Sequence, residues 1–217
     1  MLKQILLSGL AAVFLMMGAG SAAADCMPMP DAFLSTAWIF STDATIFASP
    51  AGSGPLLSQA QGPNGATVDA RIWVQVLDPM GNPMVGFDPT DIWIESSSGS
   101  VYSCLPAHPS TPTDINGITS FDVALNWGGY HDPDLGDQLI IKICNQYLMI
   151  PNLPLRVVTS DLNGDGDVDL SDVISFASFF LSGLYHPSID YYHDGTINLS
   201  DLVRFSSSTN QLCPPGF

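Results

Sequence analysis

From residue 68 the chain alternates. Val68, Ala70, Ile72, Val74 and Val76 are apolar or small, and Asp69, Arg71, Trp73 and Gln75 stand between them. A period of two belongs to a strand with one buried face. Asp78-Pro79-Met80-Gly81-Asn82-Pro83 follows and reads as a turn, because Pro and Gly supply the backbone angles a tight turn needs. Further strands are predicted over 91–95, 101–104, 118–125, 138–144 and 155–158, with a second turn at Asp114-Ile115-Asn116-Gly117. Short strands punctuated by Gly, Pro, Asn and Asp predict one β-sandwich. Past residue 160 the period changes. Val173, Phe176, Ala177 and Phe180 recur at helical spacing until Gly183, and Leu202, Phe205 and Ser206 echo them. The expected fold class is therefore mainly β, with a small α-helical unit at the end.

Two stretches of the strand-rich region carry a family likeness. Val74-Gln75-Val76-Leu77-Asp78 runs into Gly81-Asn82-Pro83-Met84-Val85-Gly86, and Thr113-Asp114-Ile115-Asn116-Gly117-Ile118-Thr119 leads into a strand at Phe121. Together they resemble the bacterial immunoglobulin-like repeats of invasin and intimin-type surface proteins. The resemblance implies an Ig-like β-sandwich over residues 25–158, of a kind that serves as a rigid spacer or adhesive module.

The last quarter carries the candidate chemistry. Asp161-Leu162-Asn163-Gly164-Asp165-Gly166-Asp167-Val168-Asp169-Leu170-Ser171-Asp172 places oxygen donors at alternate positions of a twelve-residue loop. Ca²⁺ takes six to eight hard oxygens at about 2.3–2.6 Å, and such spacing lets a tight loop wrap one ion. Asp161, Asn163 and Asp165 fill positions 1, 3 and 5, the carbonyl of Asp167 position 7, Asp169 position 9 and Asp172 position 12. Gly166 allows the sharp bend, and Val168 is expected to pair with a partner loop. A second copy starts 29 residues later, and eight of twenty residues are identical. There Asp190, Asp194, Thr196, Asn198 and Asp201 are the candidate ligands, but Tyr192 stands where position 3 needs a short oxygen donor. One strong calcium site and a weak or empty second one are expected. Neither loop is preceded by a helix: Leu155-Arg156-Val157-Val158 reads as strand, and Gly183 to Pro187 breaks any helix before Asp190.

Paired loop–helix units without entering helices resemble a type I dockerin, the EF-hand-type calcium module that docks into cohesin domains. The resemblance covers 161–213 and sets a domain at 159–217. Cellulosomal members commonly present a Ser-Thr-like pair at loop positions 10 and 11, with basic residues further along the helix. Leu170-Ser171 and Leu199-Ser200 depart from that, so known cohesin preferences do not transfer. Only Thr159-Ser160 separates strand from loop, which suggests a fixed junction rather than a flexible linker.

Charge and cysteine usage then narrow the setting. Of 21 acidic residues all but Glu95 are Asp, against five Lys and Arg, for a net charge of −16. Clustered bases that displace counterions from phosphate are missing, which argues against nucleic acid and anionic membranes as partners. Eight of the acids lie between Asp161 and Asp201, so part of the Asp excess is ligand inventory. Lys3, an apolar run from Ile5 to Met17 and Ala22-Ala23-Ala24 read as a signal peptide over 1–24, the alternative being an uncleaved anchor. Export to the extracellular space or cell surface would place Cys26, Cys104, Cys144 and Cys213 in an oxidising compartment. Four cysteines allow three pairings. Cys104 with Cys144 is preferred because both lie among the predicted strands, leaving Cys26 and Cys213 to each other or unpaired. No Cys-x-x-Cys suggests zinc.

Catalytic motifs are missing. The sequence has no Gly-x-Ser-x-Gly elbow and no phosphate-binding Gly loop, and His108 and His131 fall in loops. The leading expectation is thus a secreted, non-enzymatic, calcium-binding assembly or adhesion protein. Its tail would dock to a cohesin-like or other surface protein, or to its own sandwich. Trp38, Trp73, Trp93 and Trp127 keep open a carbohydrate-binding module acting on polysaccharide, though sandwich core and edge positions explain them more simply. A calcium-stabilised structural protein without a docking partner is the third alternative.

Overall fold

The structure is a computed structural model that describes Cys26 and residues 28–97, 100–148 and 153–215. The predicted signal segment lies outside the described residues. Among these residues there are twelve strands in four sheets and two α-helices, so the protein is mostly β. No described helix is long and apolar enough to cross a membrane.

The alternating segment forms β5 (Ile72–Gln75), which runs antiparallel between β1 (Thr36–Trp38) and β8 (Ile118–Phe121). Ala70, Ile72, Val74 and Val76 are fully buried, while Trp73 and Gln75 are half-buried on the other face. A second sheet orders β11 (Gln146–Tyr147), β10 (Leu139–Ile143) and β6 (Ile92–Ser96). Its Ile92, Ile94, Leu139, Ile141 and Ile143 enter the same core as β5. The predicted strands 118–125 and 138–144 are both shorter in the structure, ending at Phe121 and at Ile143, where Cys144 turns the chain at φ +51°. β1, β2 (Ala44–Ala48), β3 (Ala60–Gln61), β9 (Trp127–Gly129) and β11 were not legible as strands, and Val68 of the alternating segment belongs to a separate short strand, β4 (Thr67–Val68).

Of these, β2 is the most informative. It lies parallel to β12 (Leu155–Thr159), with β3 and β4 beyond it. Every β2 residue is buried. Ala44, Ile46, Ala48, Leu155 and Val157 face the main core, whereas Phe47 and Val158 face a second cluster with Phe176, Ile189, Tyr191 and Phe205. A strand covered on both faces has no polar face to alternate with. The second cover is the C-terminal unit, made of α1 (Leu170–Ser182) and α2 (Leu199–Ser206). Phe176 stacks 4.6 Å from Phe205 and 6.1 Å from Tyr191, and Phe47 meets Tyr191 edge-on at 5.2 Å.

The fourth sheet pairs β7 (Val101–Ser103) with β9 (Trp127–Gly129). It bears directly on the disulfides, which differ from the preferred pairing. Cys26 bonds Cys144 and Cys104 bonds Cys213. Cys144 sits in the β10–β11 turn, and Cys104 just after β7, on a different sheet. The two therefore lie in separate parts of the body, each next to a chain end. Gly117 shows why its turn was legible: its φ is +71°, and a Cβ there would lie 2.5 Å from the Val76 carbonyl oxygen.

Candidate metal centre

The backbone makes the first loop before any ion is considered. Asp161 is fully buried, and its Oδ1 accepts from the Gly164 amide at 2.7 Å and the Asp165 amide at 3.2 Å, its Oδ2 from the Gly166 amide at 2.8 Å. Gly164 and Gly166 have φ of +73° and +95°, which a side chain would disfavour. Asn163 Oδ1 accepts from the Asp165 amide at 3.0 Å, and Asp165 Oδ1 from the Asp167 amide at 3.1 Å. Asn163 Nδ2 donates to Asp165 Oδ2 at 2.8 Å and to Ser171 Oγ at 3.0 Å.

Position 12 serves loop and helix together. Asp172 is fully buried; its Oδ1 accepts from the Leu162 amide at 2.8 Å and its Oδ2 from the Asp169 amide at 2.9 Å. Asp169 in turn accepts from the Ser171 amide at 2.7 Å, so Asp169 and Asp172 form a capping box on α1. One substitution at Asp172 would thus release the loop and the first turn of the helix.

The second loop repeats this plan. Asp190 accepts from the Asp194 amide at 3.2 Å and the Gly195 amide at 2.9 Å. Asp194 Oδ1 accepts from the Thr196 amide at 2.9 Å and hydroxyl at 2.7 Å. Asp201 accepts from the Tyr191 and Asn198 amides, both at 2.9 Å, and Asn198 caps α2. Tyr192 does not join its neighbours around the loop; its ring lies 5.7 Å from the Arg204 guanidinium carbon.

The β-rich body and the C-terminal segment hold the first loop between them. Gly129 donates its amide to the Asp161 carbonyl at 2.7 Å, and a Cβ on Gly128 would meet Asp161 Oδ2 at 1.9 Å. On the other side Val168 does not pair with the second loop as expected. Its amide donates to the Gln211 carbonyl and its carbonyl accepts from Asn210, each at 2.9 Å. Cys213 follows within two residues of that contact and is tied to Cys104, so the segment competing for Val168 is fixed covalently beside it. The Gly128-Gly129 pair was a usable sign, since glycines in a strand mark close backbone approach. Nothing in the sequence marked residues 210–212.

Electrostatically the loops lack counter-charge. Asp161, Asp172, Asp190 and Asp201 are all buried, and no Lys, Arg or His of the described residues lies within ion-pair distance of them. Burial pushes the Asp161 carboxyl up to about 6; the Asp172 and Asp165 carboxylates add to this and the Gly166 and Gly164 amides oppose it. Burial likewise raises Asp201. The four basic side chains of the described residues are committed elsewhere. Arg71 pairs with Asp69 at 2.6 Å, Lys142 with Glu95 at 2.7 Å, and Arg156 with Asp132 and Asp134 at 3.2 and 2.9 Å. Arg204 lies over Phe47 at 4.7 Å.

The donor set of the first loop fits a hard divalent cation: four carboxylates, an amide oxygen and a backbone carbonyl, with two carboxylates removed from water. Its carboxylates do not yet converge. Among the described residues the group of His, Cys, Asp or Glu atoms lying within 4.8 Å of one another is Cys26, Asp91 and Cys144. Those sulfurs are joined in a disulfide, and so are not thiolate ligands. Trp127 is buried, Trp73 lies under Arg71 at 5.2 Å, and Lys142 sits over Trp93 at 5.9 Å and Tyr147 at 4.7 Å. Comparison with models of known protein families, with characterised proteins and with solved structures finds no match to this chain.

Proposed function

We propose that the chain is an exported, calcium-binding, non-enzymatic protein of extracellular or cell-surface assembly. In this reading an Ig-like β-sandwich is closed by a dockerin-like pair of loop–helix units. The observation that carries it is the set of buried loop carboxylates without a basic partner, arranged in two copies of one hydrogen-bonding plan. Bound calcium would supply the positive charge that Asp161 and Asp172 of the first loop lack. Asp161, Asn163, Asp165, the Asp167 carbonyl, Asp169 and Asp172 would hold it, and Asp172 would transmit its presence to α1 through the capping box. Two disulfides are compatible with export.

The helices supply the docking half of the reading. Their inner faces are spent on Phe47 and Val158 of the body. Their outer faces repeat: Leu170, Val173 and Ile174 are exposed at loop positions 10, 13 and 14, and Leu199, Leu202 and Val203 at the same positions of the second copy. Two apolar triads related by the internal repeat suit a protein partner better than an anionic one, because the basic side chains are already engaged. Limited proteolysis tests the calcium part. In calcium the loop and the start of α1 resist cleavage; chelation opens residues 161–175 within the intact body. Equal resistance in chelator and calcium would remove the reading.

A further inference from the structure

We propose that the second loop closes without a metal ion and works as a clamp that fixes the C-terminal unit to the β-rich body. The contrast it draws rests on the calcium reading of the first loop. At position 1 the two loops differ in who satisfies the carboxylate. Asp161 accepts only from amides of its own loop, at Gly164, Asp165 and Gly166. Asp190 accepts additionally from the hydroxyl of Tyr185, at 2.9 Å from Oδ2. A neutral donor from outside the loop thus stands at the oxygen where an ion would be needed.

Position 4 reaches the body, and position 3 turns to α2. Asn163 lies across the first loop, bonded to Asp165 and Ser171. Tyr192 instead lies against Arg204, whose guanidinium carbon is 5.7 Å from that ring and 4.7 Å from the ring of Phe47 on β2. Gly164 is replaced by His193, which keeps the left-handed conformation at φ +52° despite its side chain. Such a conformation persists only where the surroundings hold it. Arg156 Nη1 donates to His193 Nε2 at 3.4 Å, Asp43 Oδ1 lies 3.6 Å from the same nitrogen, and the Gly65 amide donates to the His193 carbonyl at 3.3 Å. Of the two positions that depart from a calcium loop, His193 grips the body directly, and Tyr192 braces the Arg204 side chain that lies over Phe47. Duplication has divided the labour: one loop for the ion, one for attachment.

Hydrogen exchange on the mature chain, in calcium and in chelator, separates the two claims. Chelation speeds exchange over 161–169 by about tenfold or more and leaves 190–198 unchanged. In chelator, Tyr185→Phe speeds exchange over 190–198 by about tenfold, the loss of one hydrogen bond to a charged group. If 190–198 responds to chelation as 161–169 does, the clamp is wrong and the calcium reading stands. If 161–169 does not respond, the calcium reading fails; the Tyr185→Phe arm still decides the clamp, and unchanged exchange there overturns it.

Discussion

Gly128→Ala is the sharpest probe of how the body supports the first loop. Gly128 lies in β9, and its φ is outside the left-handed range, so alanine costs nothing in backbone strain there. Its added Cβ would sit 1.9 Å from Asp161 Oδ2, 2.7 Å from Cγ and 3.2 Å from Cβ. Rotating one oxygen away does not relieve this, because three amides pin the carboxylate and the residue is fully buried. Overpacking of this kind costs about 1–3 kcal/mol, and a lost amide bond to a charged group about 1.5–3 kcal/mol. A stability loss of roughly 2–4 kcal/mol is expected, with a fall in calcium affinity of about thirtyfold for each 2 kcal/mol that falls on the bound state. The measurement is urea denaturation together with calorimetric titration of Gly128→Ala, Asp161→Ala and the double variant. Since alanine at 161 removes the carboxylate being struck, the double variant should cost less than the sum of the singles. Strictly additive costs, or wild-type affinity in Gly128→Ala, would show that β9 does not position the first ligand.

Three further outcomes follow from the same geometry. Phe176→Ala removes the ring that stacks on Phe205 and Tyr191, and should cost about 3–5 kcal/mol by denaturant unfolding of the C-terminal unit. Replacing Cys104 and Cys213 by Ser opens a link of sequence separation 109, worth roughly 5 kcal/mol by chain entropy, and should weaken calcium binding because residues 210–213 brace Val168. His131 is fully buried with no hydrogen-bond partner on either ring nitrogen, and burial holds its pKa below 6.5, against the pull of Asp137 and Asp132. Its unfolded form binds protons first, so stability is complete above about pH 6.5 and falls as pH drops toward the lowered folded value, by at most about 1.4 kcal/mol per pH unit. Urea midpoints at pH 7.5 and 5.5 should differ less in His131→Phe than in the wild type; an equal difference would assign the effect elsewhere.

What could be read beforehand depended on how many neighbours a residue has. β5 was legible because one of its faces is half open, so Trp73 and Gln75 mark the period that Ile72 and Val74 leave. β2 was not, because Phe47 is claimed by the helices while Ile46 is claimed by the main core, and its single polar residue, the buried Thr45, sets no period. The twelve-residue loops were legible because oxygen spacing and glycine angles are local requirements. Most of their surroundings were not: Tyr185 and residues 210–213 reach the loops through the fold, the latter from as many as 47 positions away. The cysteines failed for the same reason. Sharing a strand-rich region brought Cys104 and Cys144 no nearer, since each lies on its own sheet beside a different chain end.

Calcium titration of the metal-stripped mature chain by calorimetry tests the central claim most directly. One site per chain is expected, abolished by Asp161→Ala and kept by Asp194→Ala. No binding at all, or two sites of equal affinity, would contradict it.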